Sequence, residues 1–338
     1  MRRLGQKLGL MVSVGGMLAA GTCLAAPAYH LAGTVTLPHA GGWDYLTFDP
    51  TSGHVLVAEG DQTTVIDPAH GVVGALEGLS GAHGQVVANG AIWSDSGEAG
   101  TVTMFDAASY KRLAVIPATG DADGMTYDAS TGLLGVAGGD SQSLALIDTK
   151  TRSRRAVVAL GAEPEGPASD GHGSFYVNLA SANAVAKVDE ASAKLVARYA
   201  IPDCHRPHGI AVDPVAGRVF VSCVNAKLVA IDTASGHEVQ RLPIGLGTDA
   251  ATIDTGRHLV FSSNGIAGTL SVFREAADGT LSKLAEVKTR TGARTLAEDP
   301  ASGRVFSVTA TTIGKRVPGH YPDYVAGSKR LLIYAPAS

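Results

Sequence analysis

The twelve residues 203–214, DCHRPHGIAVDP, bring together a cysteine, two histidines, an arginine and two aspartates. Imidazole, thiolate and carboxylate are the groups that ligate metals and move protons, so such a stretch could hold a divalent ion or a general base. One of its members, His208, has counterparts elsewhere. Aligning the segments that begin at 44, 83, 123, 165, 208, 249 and 294 places Asp44, His83, Asp123, Glu165, His208, Asp249 and Arg294 in one column. All seven are ionisable, whereas about one residue in five of the whole chain is. Chance alone would fill such a column about once in 10⁵, or about 5 times in 10⁴ with roughly forty columns to choose from. A solvated loop-to-strand junction would be polar for a blander reason, and that reading stands beside the functional one. The next residue is small in five segments (Gly84, Gly124, Gly166, Gly209, Ala250), which suits close backbone approach. Four carboxylates and one guanidinium give the column a charge of about −3 with neutral histidines. Crowded carboxylates attract a cation or raise one another's pKa. Asp123, Glu165 and His208 come from consecutive segments and are the expected ligands of one divalent cation. Oxygen donors with one imidazole suit Ca²⁺, Mg²⁺, Mn²⁺ or Zn²⁺ without choosing among them.

The elements that must position these residues are read from the repeat itself. HGIAVDPVAGRVFVSCVNAKLVAIDTASGHEVQRLPI (208–244) and DYLTFDPTSGHVLVAEGDQTTVIDPAHGVVGALEG (44–78) share one plan. Each reads as strand, Asp-Pro, Gly-containing turn, strand, polar loop, strand ending Ile-Asp, turn, and fourth strand. Seven such units recur every 39 to 45 residues. Period and strand count predict an all-β, seven-bladed β-propeller with four antiparallel strands per blade. Its first strands line a central channel, so the ionisable column rings the channel mouth. The seventh unit stops after its third strand, RLLIYAP (330–336), and HLAGTVTLP (30–38) resembles the missing fourth, so the N-terminal strand is expected to close the ring. The propeller is expected to span 29–338 as a single domain. A loop at 309–329, inserted in blade seven on the face of the mouth, carries Lys315, Arg316, His320, Tyr321 and Tyr324. It is read either as a cover for the mouth or as a plain surface excursion.

Two further columns read as architecture. Asp49, Asp128, Asp170, Asp213, Asp254 and Asp299 end first strands, with Ala88 the exception. Asp67, Asp106, Asp148, Asp189 and Asp232 end third strands. A role repeated in blade after blade fits an Asp that accepts N–H bonds from the turn that follows.

FYVNLASANAVAKVD (175–189) and VFVSCVNAKLVAID (219–232) resemble the YVTN repeat. The resemblance covers nearly all of the chain beyond its first 28 residues. It implies a YncE-like propeller of the bacterial cell envelope. The motif speaks to fold far more than to function, since propellers of this shape include binding proteins, lactonases, lyases and quinone enzymes.

Residues 1–28 read as a secretory signal peptide: Arg2, Arg3 and Lys7, an apolar run, then Ala26-Pro27-Ala28 before cleavage. Rival readings are a lipoprotein modified at Cys23 and a membrane anchor, the latter weakened by a short, glycine-broken run. Removing three basic residues and no acidic one takes the formal charge from −4 to −7. That acidity argues against nucleic acid as a partner, as does the lack of a repeated aromatic platform. No transmembrane segment is expected after cleavage, and the exported chain is expected to be a monomer. Cys204, just before the first strand of blade five, and Cys223, at the end of its antiparallel second strand, remain near one face in an oxidising compartment. They are expected to form a disulfide, with a Cys-His-x-x-His metal site as the alternative. CxxCH, GxxxxGK[ST], HExxH and GxSxG are all absent from the sequence. The expected function is a periplasmic or secreted binding or scaffold protein. It would recognise a small ligand, a metal ion or an envelope protein at the mouth, with no residue assigned a catalytic role. The alternative is a metal-dependent lactonase or lyase with His208 or Glu165 as base.

Overall fold

The computed structural model describes residues 28–314 and 323–337. The leader read at 1–28 lies outside them apart from Ala28, and so do Lys315, Arg316, His320 and Tyr321 of the blade-seven insertion.

The described residues form seven four-stranded antiparallel sheets arranged as a ring. Blade one runs Leu46–Asp49, His54–Ala58, Gly60–Asp67 and Gly71–Ala82. The inner strands of blades two to seven are Gln85–Ala88, Ala122–Asp128, Pro164–Ser169, Pro207–Asp213, Ala251–Asp254 and Leu296–Asp299. The period-2 pattern explains the core. Middle strands are buried on both faces, because each is sandwiched between two neighbouring blades. Along Leu259–Asn264, Leu259 and Phe261 join the cluster shared with blade seven, while Val260 joins the one shared with blade five. Each of the seven blade-to-blade seams has its own apolar cluster of this kind. Outer strands face solvent with alternate residues, as in Arg112–Pro117.

The closure follows the sequence reading. Tyr29–Thr36 pairs antiparallel with Arg330–Pro336 and completes blade seven. Tyr29 stands edge-on to Phe261 at 5.4 Å and donates its hydroxyl to Gly303 O at 3.0 Å. The far end of the insertion is tied across to blade one: Lys329 Nζ meets Glu59 Oε1 at 2.5 Å, with both side chains buried.

Both aspartate columns are turn devices. Oδ1 of Asp49, Asp128, Asp170, Asp213, Asp254 and Asp299 accepts N–H bonds from the residues two or three positions on. Asp67, Asp106, Asp148, Asp189 and Asp232 do the same after third strands. Cys204 and Cys223 are bonded, with Cα atoms 5.3 Å apart.

Candidate ligand site at the channel mouth

The seven ionisable residues stand where the inner strands begin. In blades three, four and five the ladder is irregular at this point, between Ala122 and Met125, Pro164 and Pro167, and Pro207 and Gly209. Such bulges re-aim a side chain, here those of Asp123, Glu165 and His208. The small residues that follow are steric requirements. A Cβ on Gly209 would lie 2.4 Å from the Ala250 carbonyl carbon of the next blade, and Gly124 has a φ of +88°.

The ring residues contact one another in blade order. Asp123 lies 3.6 Å from His83 Nδ1, which donates to Asp44 Oδ2 at 2.9 Å. Asp44 lies 3.9 Å from Arg294, whose Nε donates to Asp249 Oδ2 at 2.6 Å. His208 Nδ1 donates to Asp249 Oδ1 at 2.8 Å, and its Nε2 lies 3.4 Å from Glu165. Signs therefore alternate: acid, base, acid, base, acid, base, acid. Seven is odd, so the alternation cannot close, and it fails between Asp123 and Glu165 of blades three and four. Arg206, from the exposed loop before blade five, approaches Glu165 at 3.9 Å and Glu163 at 3.1 Å.

Protonation follows this pattern. For His83, burial favours the neutral form, but the bond to Asp44 and the charges of Asp123, Asp44 and Asp95 prevail and push it up to about 10. His208 is likewise raised against its burial by Asp249 and Glu165. His83 is thus cationic at neutral pH and His208 is biased the same way, so the mouth is less negative than the expected value of about −3. Burial alone would raise Asp249, yet His208 and Arg294 bring it below the usual range. At the acid–acid junction the direction reverses. Burial first, then neighbouring carboxylates, pushes Asp123 up to about 6 and Glu165 up to about 8. The junction therefore holds on to a proton near neutrality.

Three members of the site escaped the sequence reading. Tyr45 follows Asp44 and crosses the channel beneath the junction; a Cβ on Gly124 or Gly166 would come within 3.3 Å of its ring or hydroxyl. Burial, then Glu165, Asp249, Asp123 and Asp44, hold its phenol far above the usual range. Asp95, fully buried in the second strand of blade two, accepts the backbone N–H of His83 at 2.7 Å and of Gly84 and Gly124 at 2.9 Å. It thereby fixes two ring positions at once. At the same place in blade four, Asn178 donates to His208 O at 2.7 Å; in blade six, Ser263 donates to Arg294 O. The third is Trp43, 5.4 Å from the Arg294 guanidinium and 5.0 Å from Tyr324 of the insertion. An acidic residue inside the strand AIWSDS, and a tryptophan beside a ring position, were the available signals.

The channel holds a cavity of about 280 Å³, lined by Tyr45, Phe48, Gln85, Met125, His208 and Glu298 among others. Among the described residues, the group whose ligand atoms all lie within 4.8 Å of one another is Asp44, His83 and Asp123. Of the three expected metal ligands, Glu165 and His208 meet each other, while Asp123 turns to His83. His205 sits apart on its loop, where its N–H is held by Asn225.

Neither a protein-family model nor a curated protein matches the chain. Solved structures do. A chain of Kuenenia stuttgartiensis hydrazine synthase superposes with a TM-score of 0.70 at 14% identity, covering 80% of this chain and 94% of that one. A chain of a mitotic checkpoint complex gives 0.74 at 13%, covering 99% and 100%. Streptogramin B lyase gives 0.72 at 13%, covering 91% and 98%. The protein is a seven-bladed β-propeller. At these identities the likeness is one of fold, and three otherwise different proteins share it.

Proposed function

We propose that this propeller is an exported binding protein of the bacterial envelope, akin to the YVTN-repeat propellers, that takes a small ligand at the channel mouth. The observation that carries the reading is the broken alternation of the mouth. Six contacts lock the ring into alternating signs, and the remaining junction sets Asp123 against Glu165 over the phenol of Tyr45. Holding two carboxylates side by side in a buried place costs stability, a cost met here by the proton kept near neutrality, and such costs gather at functional sites. A metal ion or an organic cation would relieve this one.

Export is supported by the sequence of residues 1–28 and by the disulfide, which suits an oxidising compartment. No helix among the described residues is long and apolar enough to cross a membrane. The YVTN resemblance rests on 175–189 and 219–232. A protein partner on the same face remains within this reading; single-stranded DNA is disfavoured by the acidic charge.

A metal-dependent lyase is the second reading. It is favoured by the cluster of Asp44, His83 and Asp123 and by the fold shared with streptogramin B lyase. Oxygen and imidazole donors suit a divalent ion, but His83 must first give up the proton it shares with Asp44. Glu165, held near 8, has the acidity of a general acid or base at neutral pH.

A thermal-shift screen tests the reading with Ca²⁺, Mg²⁺, Mn²⁺, Zn²⁺ and a panel of small organic ammonium compounds. At least one probe is expected to raise the melting temperature of the wild type and leave a D123N/E165Q variant unmoved. Probes that shift both proteins equally, or neither, overturn it. Chelator-sensitive turnover of a lactone would favour the second reading.

A further inference from the structure

The face opposite the mouth carries a different pattern of acids. Glu190 directly follows the third strand of blade four, and Glu275 ends that of blade six, at the equivalent place. Pro68, Ala107, Thr149 and Thr233 hold this place in blades one, two, three and five. Glu190 and Glu275 are both buried, and each faces the turn aspartate of the preceding blade, Asp128 and Asp213 respectively. Glu298, on the inner strand of blade seven, makes the same approach to Asp254 of blade six.

In each pair the aspartate is supplied with donors. Asp128 accepts from Ser130 N and Oγ, from Ser169 Oγ and from Gly173 N. Asp213 accepts from two turn amides, and Asp254 from the amide and guanidinium of Arg257. The glutamates are poorly supplied. Both oxygens of Glu275 and one each of Glu190 and Glu298 are buried with no donor. Glu190 has the Thr131 hydroxyl on its other oxygen. A buried carboxylate oxygen without a donor, set against a second carboxylate, is relieved by a proton. The glutamate then becomes an O–H donor and the aspartate its acceptor.

We propose that the pairs Glu190–Asp128, Glu275–Asp213 and Glu298–Asp254 are proton-sharing clasps between blades, which make the tightness of the ring respond to pH. Each clasp takes up one proton from solvent on folding. Other charged groups face them: Asp170 near Glu190, Arg218 near Glu275, and Arg257, Asp299 and the Tyr29 phenol near Glu298. Burial foremost, then the facing aspartate, holds the glutamates at about 8, 7 and 8, above the ordinary 4.5. A raised acid stabilises the fold fully below its unfolded value, and the benefit fades as pH rises through the folded one. The loss therefore spans about pH 4.5 to 8.

The test is urea unfolding of the full chain from pH 5 to 9, for the wild type, E190Q/E275Q, and E190Q/E275Q/E298Q. Glutamine carries an N–H donor at every pH. The wild-type unfolding constant is expected to rise by up to tenfold per pH unit per clasp, and each glutamine to remove up to one such decade. Parallel pH profiles for wild type and variants overturn the proposal. Carboxyl ¹³C NMR of the unmutated protein decides it without variants. At pH 6 the carboxyls of Glu190, Glu275 and Glu298 are expected to be protonated, and carboxylate shifts at all three overturn it.

Discussion

At the scale of single residues, the mouth column was legible because seven blades give seven independent readings of one position. A charge that recurs with changing identity stands out against columns that repeat one Asp. Protonation was not legible, since it depends on which neighbour each side chain meets. His83 shows the difference: it becomes a lasting cation only because Asp44, Asp123 and Asp95 surround it. Its folded value lies above the ordinary 6.5, so its contribution to stability is complete below about pH 6.5 and disappears as pH rises through about 10. NMR titration of the imidazole should show no midpoint below pH 8, and H83Q should flatten the alkaline limb of stability. Asp95 makes a second test. Asp95→Ala strands buried N–H groups at His83, Gly84 and Gly124, each worth roughly 1 kcal/mol or more. A loss of about 3 kcal/mol in urea unfolding is expected; a change within error would mean that water replaces the carboxylate.

At the scale of elements, the strand that closes blade seven was readable because 30–38 has the pattern of an outer strand and no other partner in sequence. Deleting residues 29–38 exposes the edge of Arg330–Pro336 and removes Tyr29 from the seam between blades six and seven. The truncated chain is expected to lose its cooperative unfolding transition altogether, as read by circular dichroism. The Lys329–Glu59 tie was not readable, because nothing local marks two charges so distant in sequence as partners. Lys329→Met leaves Glu59 buried without its cation, and a loss of about 3 kcal/mol is expected. The disulfide was legible because Cys204 stands just before the first strand of blade five and Cys223 ends its antiparallel neighbour. It closes a separation of 19 residues, and C204A/C223A should cost about 3 kcal/mol in the chain-entropy model.

At the scale of the whole molecule, an odd number of blades decides where the ring can act. An even ring of alternating charges could satisfy itself completely; seven blades leave one junction unsatisfied, and this sequence places it between blades three and four. Repeat period and strand pattern were enough to foresee the architecture, because each blade obeys the same local rules. The channel was not foreseeable, because Tyr45 reaches across it to blades that lie far away in sequence. If the junction is held for a ligand, the empty protein carries strain there, and D123N/E165Q should melt a few degrees higher than the wild type at pH 8. The most direct test is native mass spectrometry of the protein, expressed from the full sequence and isolated without chelator or affinity tag, beside the D123N/E165Q variant made in the same way. The prediction is a bound small molecule or metal ion on the wild type that is missing from the variant. Identical spectra from the two proteins would contradict a ligand site at the mouth.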